Sequence, residues 1–397
     1  MRVCLIYDCL FPHTVGGAER WYRDLAERLC AEGHDVTYVT LRQWPRGERP
    51  QIDPRVRVVS AGPRMALYTT GGRRRTLPPL VFGLGVLWHL LRHGRRYEVV
   101  HTCSFPYFSL LAAGAARALA GYGLVVDWFE VWSRTYWLDY LGPVGGRVGM
   151  LVQRVCALVE QRAVCFSELH AARLRAEGLR GTVTVLRGLY AGASEPAAPL
   201  PAAPVVMFAG RLIPEKQVTL AVAAIALAAE RIEGLRGEVF GEGPERAALD
   251  AAIAGQGLEQ VVTARGFTDT ETVDAEMGRA MCLLLTSRRE GYGLVVVEAA
   301  ARATPAVVVP GEDNAATELI EEGVNGTIAA GSDPQAVADA IVRVHAAGLA
   351  LRESTARWFA ENIGWLSLES SLRAMLDIYA AGGLTERRSP SRSATRR

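Results

Sequence analysis

The chain has 397 residues, a length that predicts two domains, each able to bury its own core. Half of its residues are hydrophobic and 22% are charged, which excludes a disordered or collagen-like chain. The formal charge is +2, but residues 1–200 carry 25 basic and 16 acidic side chains against 19 and 26 in the remainder, so the halves face different partners and no nucleic-acid stripe is indicated.

Arg2–Tyr7 reads as a buried strand, followed by a loop through Gly16-Gly17 and a helix from Ala18 to Glu32 with apolar residues at helical spacing. The opening apolar stretch breaks at Asp8, before it could form a signal-peptide core. Short strands are expected at Asp35–Leu41, Glu98–Cys103, Gly123–Trp128, Arg162–Ser167 and Val183–Leu186, with helical segments between. Such βα alternation favours a parallel sheet covered by helices. The longest apolar run, Leu77–Leu91, contains two prolines, two glycines and His89 and falls short of the roughly 20 residues of a bilayer span. Flanked by Arg73-Arg74-Arg75 and by Arg92, Arg95 and Arg96, it reads either as a membrane-surface element giving peripheral contact or as a buried helix with solvated arginine ends. The seven cysteines show neither a CxxC pair nor metal-ligand spacing, so a reducing, cytoplasmic setting is expected, with no disulfide scaffold and no structural zinc.

Residues 1–190 therefore form a first Rossmann-like domain. Ala191–Pro204, with four prolines and low complexity, is a hinge linker. The pattern then restarts, with strands at Val205–Ala209, Gly237–Phe240, Val261–Arg265, Met281–Leu285, Ala306–Val309 and Gly326–Ala329, and helices at Val218–Glu230 and Pro244–Ala254. This gives a second Rossmann-like domain over 205–353, helices over 354–380, and a disordered basic tail over 381–397, its arginines in Glu386–Arg397. The expected fold class is α/β, two doubly wound domains facing a cleft in which ligand lies at the carboxyl ends of the strands.

Three segments carry candidate chemistry. Glu290-Gly-Tyr-Gly-Leu-Val-Val-Val-Glu298 follows a strand; Gly291 and Gly293 allow close backbone approach, and amides near Tyr292 and Leu294 open a helix whose positive end suits a phosphate. Glu290 and Glu298 then offer carboxylates to hydroxyls at the two ends of a nucleoside diphosphate sugar. Gly210-Arg-Leu-Ile-Pro-Glu-Lys216 follows another strand and supplies Arg211 and Lys216, the only lysine of the chain, as two fixed charges for a diphosphate. Gly16-Gly17 is not a dinucleotide fingerprint; it reads as a plain tight turn or as a pair presenting amides to a phosphate from the opposite domain.

These segments, in this order, resemble the retaining glycosyltransferases of family four, with GT-B architecture, closely over 205–345 and more loosely over 1–190. The resemblance implies that Glu290 binds the donor sugar and Glu298 the ribose, that Arg211 and Lys216 hold the diphosphate together with Gly16 and Gly17, and that backbone at Arg265, Gly266 and Phe267 faces the base. It also implies that the final helices cross back to brace the first domain. No two aspartates stand two apart, so the DxD metal grip of the other large glycosyltransferase class is missing. Leaving-group charge then falls to Arg211, Lys216 and the helix terminus, and a metal-independent enzyme without cofactor is expected.

Asp127–Tyr140 packs six aromatic and three acidic residues into fourteen positions after a strand. It reads as an acceptor platform, with Asp127, Trp128, Phe129, Glu130, Trp132 and Tyr136 as contacts, or as an aromatic cluster buried beneath the cleft. Relatives sharing this context place a histidine at Phe129, and a phenyl ring can shuttle no proton. The expected function is transfer of a hexose-type sugar, with retention, from a UDP- or GDP-linked donor to a hydroxyl of a small-molecule natural product or envelope-glycan precursor. The alternative is a noncatalytic sugar-nucleotide-binding partner protein. Arginine and alanine usage suggests a bacterial source.

Overall fold

The computed structural model describes residues 1–383 except Val15, Arg46, Tyr68 and 70–73, so Arg73 and the tail Glu386–Arg397 lie outside the described residues. The first domain runs β1 (Arg2–Ile6), α1 (Gly17–Ala31), β2 (Asp35–Thr40), β3 (Arg57–Ser60), α2 (Leu77–His93), β4 (Val99–Cys103), α3 (Tyr107–Ala120), β5 (Gly123–Trp128), α4 (Arg134–Ala157), β6 (Gln161–Cys165), α5 (Glu168–Ala176) and β7 (Gly181–Val185). Its strands pair in parallel in the order β3-β2-β1-β4-β5-β6-β7. Val3, Cys4, Leu5 and Ile6 are all fully buried, as a strand covered by helices on both faces requires of a continuous apolar run. α1 forms because Trp21, Tyr22, Leu25, Ala26 and Leu29 recur on one face and all of them are buried. β3 was not expected from the sequence: it is a short edge strand beginning at an exposed arginine, with no continuous apolar run.

The second domain runs β8 (Val205–Ala209), α6 (Val218–Ala229), β9 (Arg236–Phe240), α7 (Arg246–Gly255), β10 (Val262–Gly266), α8 (Thr270–Arg279), β11 (Cys282–Leu285), β12 (Arg289–Glu290), α9 (Leu294–Ala301), β13 (Ala306–Val308), β14 (Asp313–Asn314), β15 (Gly326–Ile328), α10 (Pro334–Leu366) and α11 (Leu368–Gly383). Its main sheet is also parallel, ordered β10-β9-β8-β11-β13-β15, while β12 and β14 pair by themselves. In both sheets the strand order reverses beside the first strand, and the crevice at such a switch point is where α/β folds place ligands. The expected GT-B arrangement of two Rossmann-like sheets is what the chain adopts.

The expected helical boundary at 354 falls inside α10, which bends at Gly348, where φ is +54°, and ends at Leu366. α11 then packs against β4 and β5 of the first sheet, with Leu372, Met375 and Tyr379 buried there. Tyr379 Oη lies 2.5 Å from His101 Nδ1 beneath that sheet. One apolar core thus runs from the first domain through Met375 and Phe359 to Tyr292 and Val296 of the second. All seven cysteines are buried free thiols. α2 has two faces: Phe82, Val86 and Leu90 are buried, while Leu84, Trp88 and Leu91 are exposed.

Removing the Tyr379 ring deletes a fully buried aromatic contributed by the last helix to the first domain. Tyr379→Ala is expected to lower the first domain's unfolding free energy by about 3–5 kcal/mol. Urea denaturation followed by tryptophan fluorescence measures this, and a loss below 1 kcal/mol would show that α11 contributes little there.

Candidate active site

The cleft between the two sheets encloses a cavity of about 750 Å³, within the range of small-molecule sites. Its walls come from carboxyl ends of strands on both sides: Tyr7 after β1, Phe105 after β4, Phe129 after β5 and Phe166 after β6, facing Arg211 after β8 and the segment Arg288–Leu294 after β11. Gly16 and Gly17 line it at the start of α1. Gly16 is extended, and a Cβ there would fall on the Glu19 carboxylate.

Glu290 is the centre of the second domain's wall. Its carboxylate is ion-paired with Lys216 and accepts a hydrogen bond from Ser287 Oγ at 2.6 Å. The Lys216 loop is itself anchored, because Thr286 Oγ1 donates to the Lys216 carbonyl at 2.7 Å. His170 on α5 accepts from the Val131 amide through Nδ1 at 3.1 Å, which leaves Nε2, 3.4 Å from the Glu290 carbonyl, as the donor. Burial pushes the His170 imidazole below its ordinary range, so it is neutral. Gly291 must be glycine because a Cβ there would sit 2.6 Å from the Phe129 carbonyl oxygen of the other domain. Gly293, with φ +97°, turns the chain into α9, and a Cβ would meet Ala316 Cβ at 2.5 Å.

Arg211 lines the cleft, is exposed, and has no ion-pair partner among the described residues. Glu19, buried on α1 across the cleft, has its carboxyl raised by burial and by Asp8, with Arg211 and Arg74 acting in the opposite direction. Glu298, one turn into α9, also lines the cavity; burial and then Asp274 raise it, while Arg20 of the first domain and Arg302 lower it.

A second cluster joins the domains. Arg289 is ion-paired with Glu130 of the first domain and lies 3.8 Å from Glu215 of its own. Its guanidinium sits 4.6 Å from the Tyr136 ring centre and 5.1 Å from that of Trp132. Tyr136 Oη donates to Glu215 at 2.7 Å and Trp132 Nε1 to Glu130 at 2.7 Å. Burial lowers the Arg289 guanidinium, but Glu130, Tyr136, Glu215 and Glu290 together outweigh it and hold it above its ordinary range. Beside this cluster Asp313 accepts from the Ser133 amide at 3.0 Å and hydroxyl at 2.6 Å, and pairs with Arg173.

Of the expected site residues, Gly16, Gly17, Arg211, Glu290, Gly291, Tyr292, Gly293, Leu294 and Glu298 line the cavity, as do Phe129, Glu130, Trp132 and Tyr136. Lys216 reaches it through Glu290. Gly210, Arg265, Gly266 and Phe267 are not in the cavity wall; Arg265 is paired with Glu238 at 2.8 Å and Phe267 points outward. Asp127 and Trp128 need correction as acceptor contacts, because both are fully buried. Asp127 accepts from Trp21 Nε1 at 2.7 Å and lies 2.9 Å from His101 Nε2, while Trp128 donates to Gln161 at 2.8 Å, so neither has a free face. The sheet is covered on both faces, so these consecutive residues of β5 are buried on opposite sides of it, and only the residues after Trp128 emerge into the cleft. Sequence reasoning missed Arg288, Arg289, Glu215 and His170. The Arg-Arg pair preceding Glu290 was visible, but nothing in the sequence pairs it with Glu130, 159 positions earlier.

With this geometry in place, comparison with known proteins gives a consistent class. The family model described as Glycosyltransferase Family 4 matches residues 15–188, and that described as Glycosyl transferases group 1 matches 196–358. The chain belongs to the family-four, GT-B glycosyltransferases. Among its relatives, alpha-D-kanosaminyltransferase of Streptomyces kanamyceticus is 30% identical over 36% of each chain, and glycogen synthase of Mycobacterium tuberculosis is 26% identical over 86% of this chain and 85% of its own. D-inositol 3-phosphate glycosyltransferase of Streptomyces griseus is 27% identical over 46% of this chain. The matches to the first and third of these span only 36% and 40% of those proteins' length. In structure, sucrose-phosphate synthase of Thermosynechococcus elongatus is similar, with TM-score 0.77, 19% identity and coverage of 96% and 98% of the two chains. So is Anabaena HepE, solved in complex with UDP, with TM-score 0.71, 17% identity and coverage of 96% and 100%.

Arg289→Ala would leave Glu130 and Glu215 facing each other without their shared cation. It is expected to cost about 3 kcal/mol in chemical denaturation and to increase the radius of gyration in small-angle scattering. An unchanged scattering profile together with unchanged stability would remove the cluster's role in holding the domains.

Proposed function

We propose that the protein transfers a hexose-type sugar from a nucleotide diphosphate sugar to a hydroxyl acceptor, with retention at the anomeric carbon. The observation that carries this reading is the Arg211 guanidinium in the cleft, without an ion-pair partner among the described residues, opposite Gly16–Gly17 and near the N-terminal turn of α9. Such an arrangement of fixed positive charge and backbone amides suits a diphosphate. The Anabaena neighbour bound to UDP and the sugar-transferring relatives support the donor class.

In this reading the diphosphate bridges Arg211, the α9 amides and the Gly16–Gly17 backbone. A carboxylate beside a dianion is repulsive, so Glu290 can approach the sugar only because Lys216 neutralises it. Glu290 then accepts hydrogen bonds from sugar hydroxyls, and Glu298 from the ribose. As the anomeric bond breaks, charge grows on the departing diphosphate and is balanced by groups already in place. The acceptor hydroxyl enters along Trp132, Tyr136 and Tyr140, and in a front-face reaction its proton passes to a departing phosphate oxygen. Retention rests on family membership.

Phe129 favours a second reading. Its ring lines the cleft stacked on Phe166, with centroids 4.7 Å apart and planes 4° apart, so no side-chain base stands there. A noncatalytic sugar-nucleotide-binding protein would share that feature. Calorimetry beside a donor-hydrolysis assay separates the two: binding without turnover, even in Phe129→His, selects the second.

Glu290→Gln and Lys216→Ala are each expected to lower turnover about 100-fold while moving the melting temperature by only a few degrees, and a variant with full rate loses its assignment. Turnover is also expected to survive EDTA. Loss of rate restored only by Mg²⁺ or Mn²⁺ would overturn it.

A further inference from the structure

Two helices of the first domain present apolar stripes to solvent. On α2, Leu77, Leu80, Leu84, Trp88 and Leu91 recur at spacings of three and four, and Leu84 and Trp88 are 69% and 66% exposed. On α4, Val144, Val148, Leu151, Val155 and Leu158 continue the same spacing to just past its end, with Val144 76% and Leu151 62% exposed. α3 packs against both helices and adds the exposed Leu119 between them. Right-handed crossovers from β3 to β4 to β5 to β6 put all three on one face of the sheet. A band of this size is well beyond the scattered single apolar residues of an ordinary surface.

The charge on the band's helices is almost all positive, with Glu160 an exposed carboxylate just beyond the end of α4. α2 and α3 carry no carboxylate, and the single acid of α4, Asp139, faces the cleft beside Arg288 at 3.6 Å. Arg92 lies over the Trp88 ring at 5.9 Å, Arg95 donates to the Leu119 carbonyl at 3.2 Å, and Arg117 donates to the Glu160 carbonyl at 2.6 Å. Arg147 and Arg154 stand exposed among the valines of α4. A second copy docked here would set arginine against arginine, whereas an anionic bilayer satisfies the cations and the apolar stripes together.

We infer that this face is a docking surface for an anionic lipid bilayer. The chain lies on the membrane and does not cross it; no helix among the described residues is long and apolar enough to do so. The band begins at the cleft, because Tyr136, Asp139 and Tyr140 in the first turns of α4 are part of the cavity wall. A hydroxyl acceptor held at the lipid surface would therefore reach the cleft along α4.

The test is co-sedimentation of the full chain with phosphatidylcholine vesicles with and without 30% phosphatidylglycerol, as in about one lipid in three, done without donor or acceptor so that the outcome is independent of the transferase reading. Binding to the anionic vesicles only, weakened by salt, is expected. Leu84→Glu with Trp88→Glu, and separately Val148→Glu with Leu151→Glu, are each expected to reduce the bound fraction at least about tenfold with an unchanged circular dichroism spectrum. Equal binding to both vesicle types, or retained binding by either variant, overturns the inference. So does a lipid-free dimer in sedimentation velocity that the same substitutions dissociate.

Discussion

A guanidinium that neither domain can satisfy alone sets the geometry of the cleft. Arg289 belongs to the second domain, yet its ion pair with Glu130 and the faces of Trp132 and Tyr136 are supplied by the first. Buried charge is tolerated only when it is paired, so separating the domains would strand Arg289 on one side and Glu130 on the other. The same contact places Glu290, its neighbour in sequence, against the first domain, where the Glu290 carbonyl meets His170 and Gly291 meets the Phe129 carbonyl. The position of the principal carboxylate is thus a consequence of how the interface is neutralised.

Charge within the cleft follows a related logic. Lys216 compensates Glu290, and Arg20 and Arg302 act against the burial that raises Glu298. Arg211, by contrast, is left unpaired among the described residues. Arg211, on the opposite wall, acts against the burial that raises the Glu19 carboxyl, so a cation of one domain bears on an acid of the other.

The helices around the first sheet divide their surfaces. Their N-termini follow the carboxyl ends of strands and so reach the cleft, while their outer faces lie on the perimeter. α4 supplies aromatic walls in its first two turns and an apolar stripe beyond Gly142, where the helix bends. One element therefore connects the reaction cavity with the surface we assign to lipid.

Repeated βα alternation determined the two-sheet fold, and the glycine-bearing segments at Gly16 and Gly291 marked stretches that line the cleft, because buried parallel strands and close-approach glycines are local and leave local signals. The alternation did not reveal β3, a half-exposed edge strand without a continuous apolar run, nor the two-residue β12 and β14, which are too short to carry a pattern. Tertiary structure alone decided which members of Asp127–Tyr140 meet the cleft: Asp127 and Trp128 end a buried strand, while Glu130, Trp132 and Tyr136 emerge beyond it. It alone also paired Arg289 with Glu130, and it turned one face of the apolar run Leu77–Leu91 inward and the other to solvent. Ion pairs across 159 positions and the choice of exposed face depend on how elements pack, and packing is a property of the assembled chain that no window of sequence contains.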